Sequence, residues 1–563
     1  MSFRGKAQAC ILLFSSLFLI MSCNCIVVAI QKDTVSFKRK KNLTESEKKN
    51  WHFKDVFEDS IPGINLHMAY DFLKDKKGDT VIVAVIDTEL DIAQEDLKNQ
   101  IWINKDEIPN NNIDDDNNGY IDDIHGWNYV GTKKGDKVPY SHFEYVRIIK
   151  KYDALFKNIT STIDVPINKK EEFNLYQKAY SEYNEKLKTV SGDIERFDVA
   201  INRYIEGVNV VKLYLPNIKK PYDKTRLDSL KKMLKNEEEI EKLQHLIIYK
   251  KYNHTLSSIR NRRRLLSEII EYKLNFDFDE RYLTNDNTDD LNDFPYGNND
   301  VQGIRKFSHS TKMSSIIAAE RNDTLVEGIN DKVKIMPLSI SVAGNEHDKD
   351  IALAIRYAVD NGAKVINMSI GKDFSLHPEW VYDAIKYAEK HNVLIVTSAG
   401  NDGYNLDKIE NYPNDNKNDG IEFVKNFMKV GNTSYRLNLK LINSFSNYGK
   451  EEVDIFAPGT RISCLSRKRT TTDSGTSFSS AVATGVASLL FSYYPCLSPA
   501  EVKQIIMESG TSFNIMVNKP STSKEKELVP FSSLSKSGKI VNAYNALLMA
   551  EEVSKKKKKK KRS

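Results

Sequence analysis

The stretch "TVIVAVIDT", residues 80–88, is apolar and β-branched almost throughout and stops on an aspartate, Asp87. It lacks the in–out alternation of a half-exposed strand, which fits a strand covered on both faces. Runs of the same kind recur as "KVKIMPLSI" (332–340), "AKVINMSI" (363–370), "NVLIVTSAG" (392–400) and "FMKVGNTS" (427–434). Helical patterns lie between several of them. "DKDIALAIRYAVDNG" places Ile351, Ala354, Ile355 and Ala358 on one face and ends at Gly362, and "EWVYDAIKYAEKHN" repeats that layout. Buried strands alternating with amphipathic helices predict an α/β fold with a mostly parallel sheet and helices on both faces. Active sites in such sheets gather at the carboxyl ends of the strands.

The chain has 563 residues, more than one compact core usually holds. Residues 51–140 and 301–550 carry the α/β pattern. Residues 141–300 break it. Their first part is rich in Lys, Glu, Tyr, Leu and Ile, and Leu227, Leu230, Leu234, Ile240, Leu243 and Ile247 follow three/four spacing. This predicts a long helical insertion that packs on itself, broken near Pro216 and Pro221 and followed by an acidic, turn-rich loop. The insertion is also a candidate surface for an unidentified protein partner. Residues 555–562 are seven lysines and an arginine. Take those eight charges from the formal net charge of +6 and the remainder is slightly acidic, so nothing indicates a nucleic-acid binder. Residues 551–563 read as a basic, disordered tail.

The first residues read as a targeting signal. Arg4 and Lys6 precede the apolar "AQACILLFSSLFLIM", which is short for a membrane span. The following Ser22 and Cys23 resemble the lipobox of bacterial lipoproteins. That resemblance implies a signal peptide over 1–22, lipidation of Cys23, and residues 23–50 as a polar tether outside the cytoplasm. Cys464 and Cys496 read as small core residues, since the remaining thiols give no disulfide framework.

Three polar residues close or open apolar elements. Asp87 ends a strand, His309 opens "HSTKMSSIIAA", and Ser477 lies in "DSGTSFSSAVATGVASLL" after Gly475. A serine hydroxyl needs an imidazole as base, and the imidazole needs a carboxylate to hold its tautomer. Asn401, at the end of "TSAGN", and the backbone amide of Ser477 are candidates for stabilising an oxyanion. The helix after Ser477 would aim its N-terminus at the reacting atoms.

The blocks "VIVAVIDTELDIAQEDL", "HSTKMSSIIAA", "INMSIG", "TSAGN", "SFSNYGKEEVDIFAPG" and "SGTSFSSAVATGVASLL" resemble, in order, those of subtilisin-like serine proteases, and most resemble bacterial cell-envelope members. The resemblance implies a serine endopeptidase with Asp87, His309 and Ser477 as its triad and Asn401 in the oxyanion hole. It implies a peptide or protein substrate bound as an extended strand beside Ser369, Ile370, Gly371 and Gly400, with no cofactor required for the chemistry. The flanks depart from the family pattern: Glu89 replaces a glycine, Ser310 and Lys312 replace glycine and histidine, and Phe478, Ser479 and Ala481 follow the serine. A lost glycine matters where the backbone needs positive φ. Lys312, one turn from His309, is expected to lower the imidazole pKa. These departures leave a second reading, a weakened or inactive lipoprotein of the same fold acting as a peptide-binding scaffold.

"NIDDDNNGYIDD" offers Asp114, Asp116, Asn118, Asp122 and Asp123 as oxygen ligands around Gly119, a candidate structural calcium loop. It lacks the twelfth-position glutamate of an EF-hand, where His125 stands.

Overall fold

In the computed structural model, residues 43–562 are described except 133–137, 218–221, 304–307, 323, 418–419, 467–468, 522 and 524. The signal, Cys23 and most of the tether lie outside the described residues. The helices are α1 (Leu66–Leu73), α2 (Glu144–Phe156), α3 (Lys170–Tyr214), α4 (Lys224–Met233), α5 (Glu237–Lys251), α6 (Leu256–Glu268), α7 (His309–Ala318), α8 (Asp348–Asp360), α9 (Pro378–Lys390), α10 (Thr476–Tyr493), α11 (Pro499–Ser509) and α12 (Ala543–Arg562). The strands are β1 (Val81–Asp87), β2 (Trp127–Asn128), β3 (Val333–Ser339), β4 (Val365–Met368), β5 (Leu394–Ser398), β6 (Phe427–Thr433), β7 (Ile455–Pro458), β8 (Ile462–Ser466), β9 (Arg469–Asp473), β10 (Thr511–Ser512), β11 (Met516–Asn518), β12 (Leu528–Pro530) and β13 (Lys539–Ile540).

Nine strands form one sheet in the order β10-β13-β7-β6-β5-β4-β1-β3-β2. All neighbours pair in parallel except β10 with β13. β1 shows why its sequence does not alternate. Val81, Val83 and Val85 enter one core with α7, α10, α11 and α12, while Ala84 and Ile86 enter the other with α8 and α9. Both faces are dry, so both parities must be apolar. Helix α10 is buried from Thr476 to Ser492. Its small residues let it lie close: a Cβ on Gly485 would stand 2.7 Å from the Ile329 side chain.

The insertion is helical as expected. α3 alone has 45 residues, a rod of roughly 68 Å. Its far part packs with α4, α5 and α6 in a core of its own around Val211, Leu227, Leu243 and Leu246. Its near part does more than pack on itself. Phe156, Phe173 and Tyr176 share a cluster with Phe374, which follows β4, so the insertion is fused to the sheet domain.

Two expectations are corrected. The lysine run is helical through Arg562, not disordered: lysine is a good helix former, cations suit a helix C-terminus, and Lys557 Nζ reaches Glu501 at 2.6 Å. Cys464 is buried, with burial pushing its thiol pKa up to about 12, but Cys496 is exposed.

Candidate active site

β1, β4 and β5 end on the same edge of the sheet, and the N-termini of α7 and α10 arrive there. Asp87 is the last residue of β1 and is 1% exposed. Its carboxylate meets His309 Nδ1 at 2.7 and 2.9 Å. Ser477 stands in the first turn of α10, where backbone N–H groups have no partner within the helix. Its hydroxyl donates to Ser369 O at 3.3 Å and not to His309. The Asp–His pair is therefore assembled, and the serine is docked against the end of β4.

Asn401 follows β5. Its Oδ1 accepts from Thr476 N at 2.9 Å and Thr476 Oγ1 at 3.2 Å, while Thr476 Oγ1 accepts from Gly400 N at 3.1 Å. With the oxygen held, Nδ2 is the end of the amide left to donate. Gly400 needs to be glycine: its φ is +101°, and a Cβ would lie 2.4 Å from Asn447 Nδ2. Gly475 is extended rather than tightly turned. A hydroxyl rail seats α10 on β4: Ser369 Oγ meets Ser480 Oγ at 2.9 Å, Asn367 Nδ2 donates to Ser369 Oγ at 2.9 Å, and Thr484 Oγ1 donates to Asn367 Oδ1 at 3.0 Å. Ile370 is buried and Gly371 exposed on the same segment.

The altered flanks are accommodated. Neither Glu89 nor Ser310 has positive φ, so neither position demands glycine. Glu89 is buried with Asn128 Nδ2 on its carboxylate at 3.4 Å, and Ser310 N donates to Thr88 Oγ1 at 3.1 Å. Phe478, Ser479 and Ala481 are core residues, with Ser479 Oγ donating to Ala457 O at 3.0 Å. Lys312 acts in the expected direction, but the net shift of His309 runs the other way. The Lys312 ammonium is paired with Asp473 at 2.7 Å. Burial lowers the His309 pKa and Lys312 adds to that, but the Asp87 charge and hydrogen bond, helped by Asp473, leave it raised.

In the acidic loop, carboxylate oxygens of Asp114 and Asp116 converge with one of Glu107, all within 4.8 Å of one another. Asp122 and Asp123 are not in that group, and the side chains of all three remaining expected ligands are engaged elsewhere. Asp122 caps Asn111 N and Asn112 N, Asp123 accepts from Asn104, Asn118 and the Tyr357 hydroxyl, and Asn118 Oδ1 accepts from Tyr120 N. Glu107 was missed because it precedes the run; its burial at 5% exposure has no local signature in sequence.

The pattern of the Subtilase family matches residues 173–532, more than half of the chain. The chain belongs to the subtilase family. The matched span of this subtilase holds His309, Asn401 and Ser477; Asp87 lies before it and is brought in by the fold. The Cell wall-associated protease of Bacillus subtilis (strain 168) is 36% identical over 205 residues, 36% of this chain and 21% of that protein. The Thermophilic serine proteinase of Bacillus sp. (strain AK1) is 33% identical over 203 residues, 35% of this chain and 46% of that protein. The subtilase chain thus spans less than half the length of either. A solved prenylagaramide maturation protease aligns at 27% identity over 43% of this chain and 82% of its own, with a TM-score of 0.35.

Proposed function

We propose that this subtilase is a serine endopeptidase. Ser477 attacks the scissile carbonyl, His309 takes its proton and returns it to the leaving amine, and Asp87 holds the imidazole. Asn401 Nδ2 and the Ser477 amide receive the oxyanion. The observation that carries the reading is the Asp87–His309 contact at the strand edge where Ser477 begins α10. The Ser477 hydroxyl must leave Ser369 O before attack, and catalytic hydrogen bonds often tighten only with substrate bound. The relatives are named as proteases, which lends nothing to an inactive scaffold. The test is covalent labelling by a fluorophosphonate probe; a folded protein whose Ser477 is never labelled would sink the reading.

Only neutral imidazole acts as base, so labelling should rise with pH through a midpoint above the ordinary histidine value of about 6.5. Lys312→Met should move that midpoint higher, because it removes a lowering charge and frees Asp473. The stability His309 gains from Asp87 is full at low pH and is lost as pH rises through the raised pKa. A labelling midpoint below 6.5, or a downward shift in the variant, would contradict the assignment.

Glu107, Asp114 and Asp116 are proposed as ligands of a structural calcium ion, on the chemistry of three converging carboxylates. Calcium should then raise the melting temperature, and Asp114→Ala with Asp116→Ala should remove the rise. Attachment to the bacterial envelope by a lipid on Cys23 is likewise proposed from the lipobox. Among the described residues no helix is long and apolar enough to cross a membrane. Cys23→Ala should release the protein from the membrane fraction, and retention there would reject the anchor.

A further inference from the structure

β1 stops at Asp87, level with the end of β3 at Ser339 and one residue past the end of β4, and the chain beyond both neighbours continues past that edge. β4 continues as Ser369, Ile370, Gly371 and Lys372; β3 continues through Ile340 and Ser341, whose amides both donate to Asp87 O, to Glu346. Two strand spacings separate these extensions, about 9–10 Å, which leaves a groove one strand wide above the Asp–His pair. At its far end the groove is crossed. Lys372 Nζ, on one wall, donates to Glu346 O on the other at 2.9 Å. The Lys372 side chain is 1% exposed and is also paired with Asp348 at 2.9 Å and Glu144 at 3.2 Å. Its backbone is used as well: Lys372 N donates to Tyr412 O at 2.9 Å and Tyr412 N to Lys372 O at 2.8 Å. Gly371 is the last residue before the lysine bridge.

The helical insertion holds this crossing in place. Glu144 opens α2, and its second oxygen accepts from Leu376 N at 3.0 Å. Arg147, one turn on, donates to Asn345 O at 2.7 Å and Glu346 O at 3.2 Å. Ala343 exchanges backbone hydrogen bonds with Pro139 and Ser141 on the outer side. Both ends of the lysine bridge are thus fastened to residues of the insertion.

We propose that Lys372, locked by Glu144, is a specificity-determining residue that closes the substrate groove about three residues from Ser477. This rests on the peptide-binding reading of the site. From Ser369 to Lys372 a strand advances about 10 Å, room for three residues of an extended peptide. Side chains beyond that have no wall to pair with.

The experiment measures binding of blocked peptides, lengthened one residue at a time from either end, to the Ser477→Ala protein. Affinity should climb for the first two or three residues on the Gly371 side and then change less than about 2-fold per residue. Lys372→Met with Glu144→Gln and Asp348→Asn, added to Ser477→Ala, removes the bridge without stranding Glu144 or Asp348 as a buried charge. Later residues should then add about 3-fold or more each. Continued gains beyond three residues with Lys372 in place would overturn the proposal. So would an unchanged ladder in the variant while its melting transition shows it folded. No binding at any length in either protein would overturn the peptide-binding reading itself, and this inference with it.

Discussion

Ser477→Ala should abolish fluorophosphonate labelling and cut peptide hydrolysis by about 10⁶-fold in kcat, the scale seen when the nucleophile of such a triad is removed. A residue of about 10³–10⁴-fold over water should remain from the oxyanion donors and binding. The geometry makes this the sharpest test available. Ser477 Oγ makes one weak hydrogen bond, to Ser369 O, and the backbone of α10 is held independently by Thr476 on Asn401 and by the Ser369–Ser480 contact. Alanine removes the hydroxyl without disturbing that frame, so the melting temperature should stay within a degree or two. Asp87→Asn should leave labelling slow, because the amide cannot hold the imidazole in the tautomer that accepts the serine proton. Full hydrolysis by Ser477→Ala would mean that another group does the chemistry.

The largest effect on stability is expected at Arg147. It is 7% exposed and donates to Glu280 at 2.9 and 3.0 Å, to Glu144, to Ser141 Oγ, and to the carbonyls of His142, Asn345 and Glu346. Glu280 is itself buried and is pushed up by that burial, yet Arg147, His347 and His142 hold it well below the usual carboxylate range. Its contribution is present at neutral pH and is lost only as pH falls through that lowered value. Arg147→Ala leaves this carboxylate buried without its main partner and should cost about 3–5 kcal/mol. Arg147→Met with Glu280→Gln should recover much of the loss, since replacing a buried pair costs far less than breaking one. The measurement is the thermal or denaturant midpoint of each variant. A change in Arg147→Ala below about 0.5 kcal/mol, the range of ordinary surface substitutions, would show that the network is not buried as described.

Much of the architecture is legible in local pattern. The apolar runs around Val83, Ile335, Ile366, Ile395 and Met428 each become a parallel strand, and the spacing of Ile351, Ala354, Ile355 and Ala358 becomes the buried face of α8. Asp87, His309, Asn401 and Ser477 are legible because each closes or opens such an element. What sequence does not carry is which distant charges meet. Lys312 finds Asp473, Glu107 joins Asp114 from outside the acidic run, and Arg147 finds Glu280, all without periodic spacing. The raised His309 pKa rests chiefly on Asp87, against which burial and Lys312 act. The insertion was readable as helical but not as part of the groove, because Glu144 and Lys372 meet only when the chain is folded.

The place of the insertion also sets an order of events. β1 lies between β3 and β4, and both of these follow the insertion in the chain, so Val81 finds Val333 only after the whole helical excursion has been made. At roughly 5–20 residues per second, a newly synthesised β1 waits on the order of 10–50 s with both faces and both edges unpaired. An apolar, β-branched segment in that state is a template for wrong pairing. The helices between are rich in local contacts and can fold while β1 waits, drawing the ends of their segment together before β3 arrives. The vulnerable interval of this protein therefore falls during its synthesis, and shortening the insertion would shorten that exposure while removing the residues that fasten Lys372.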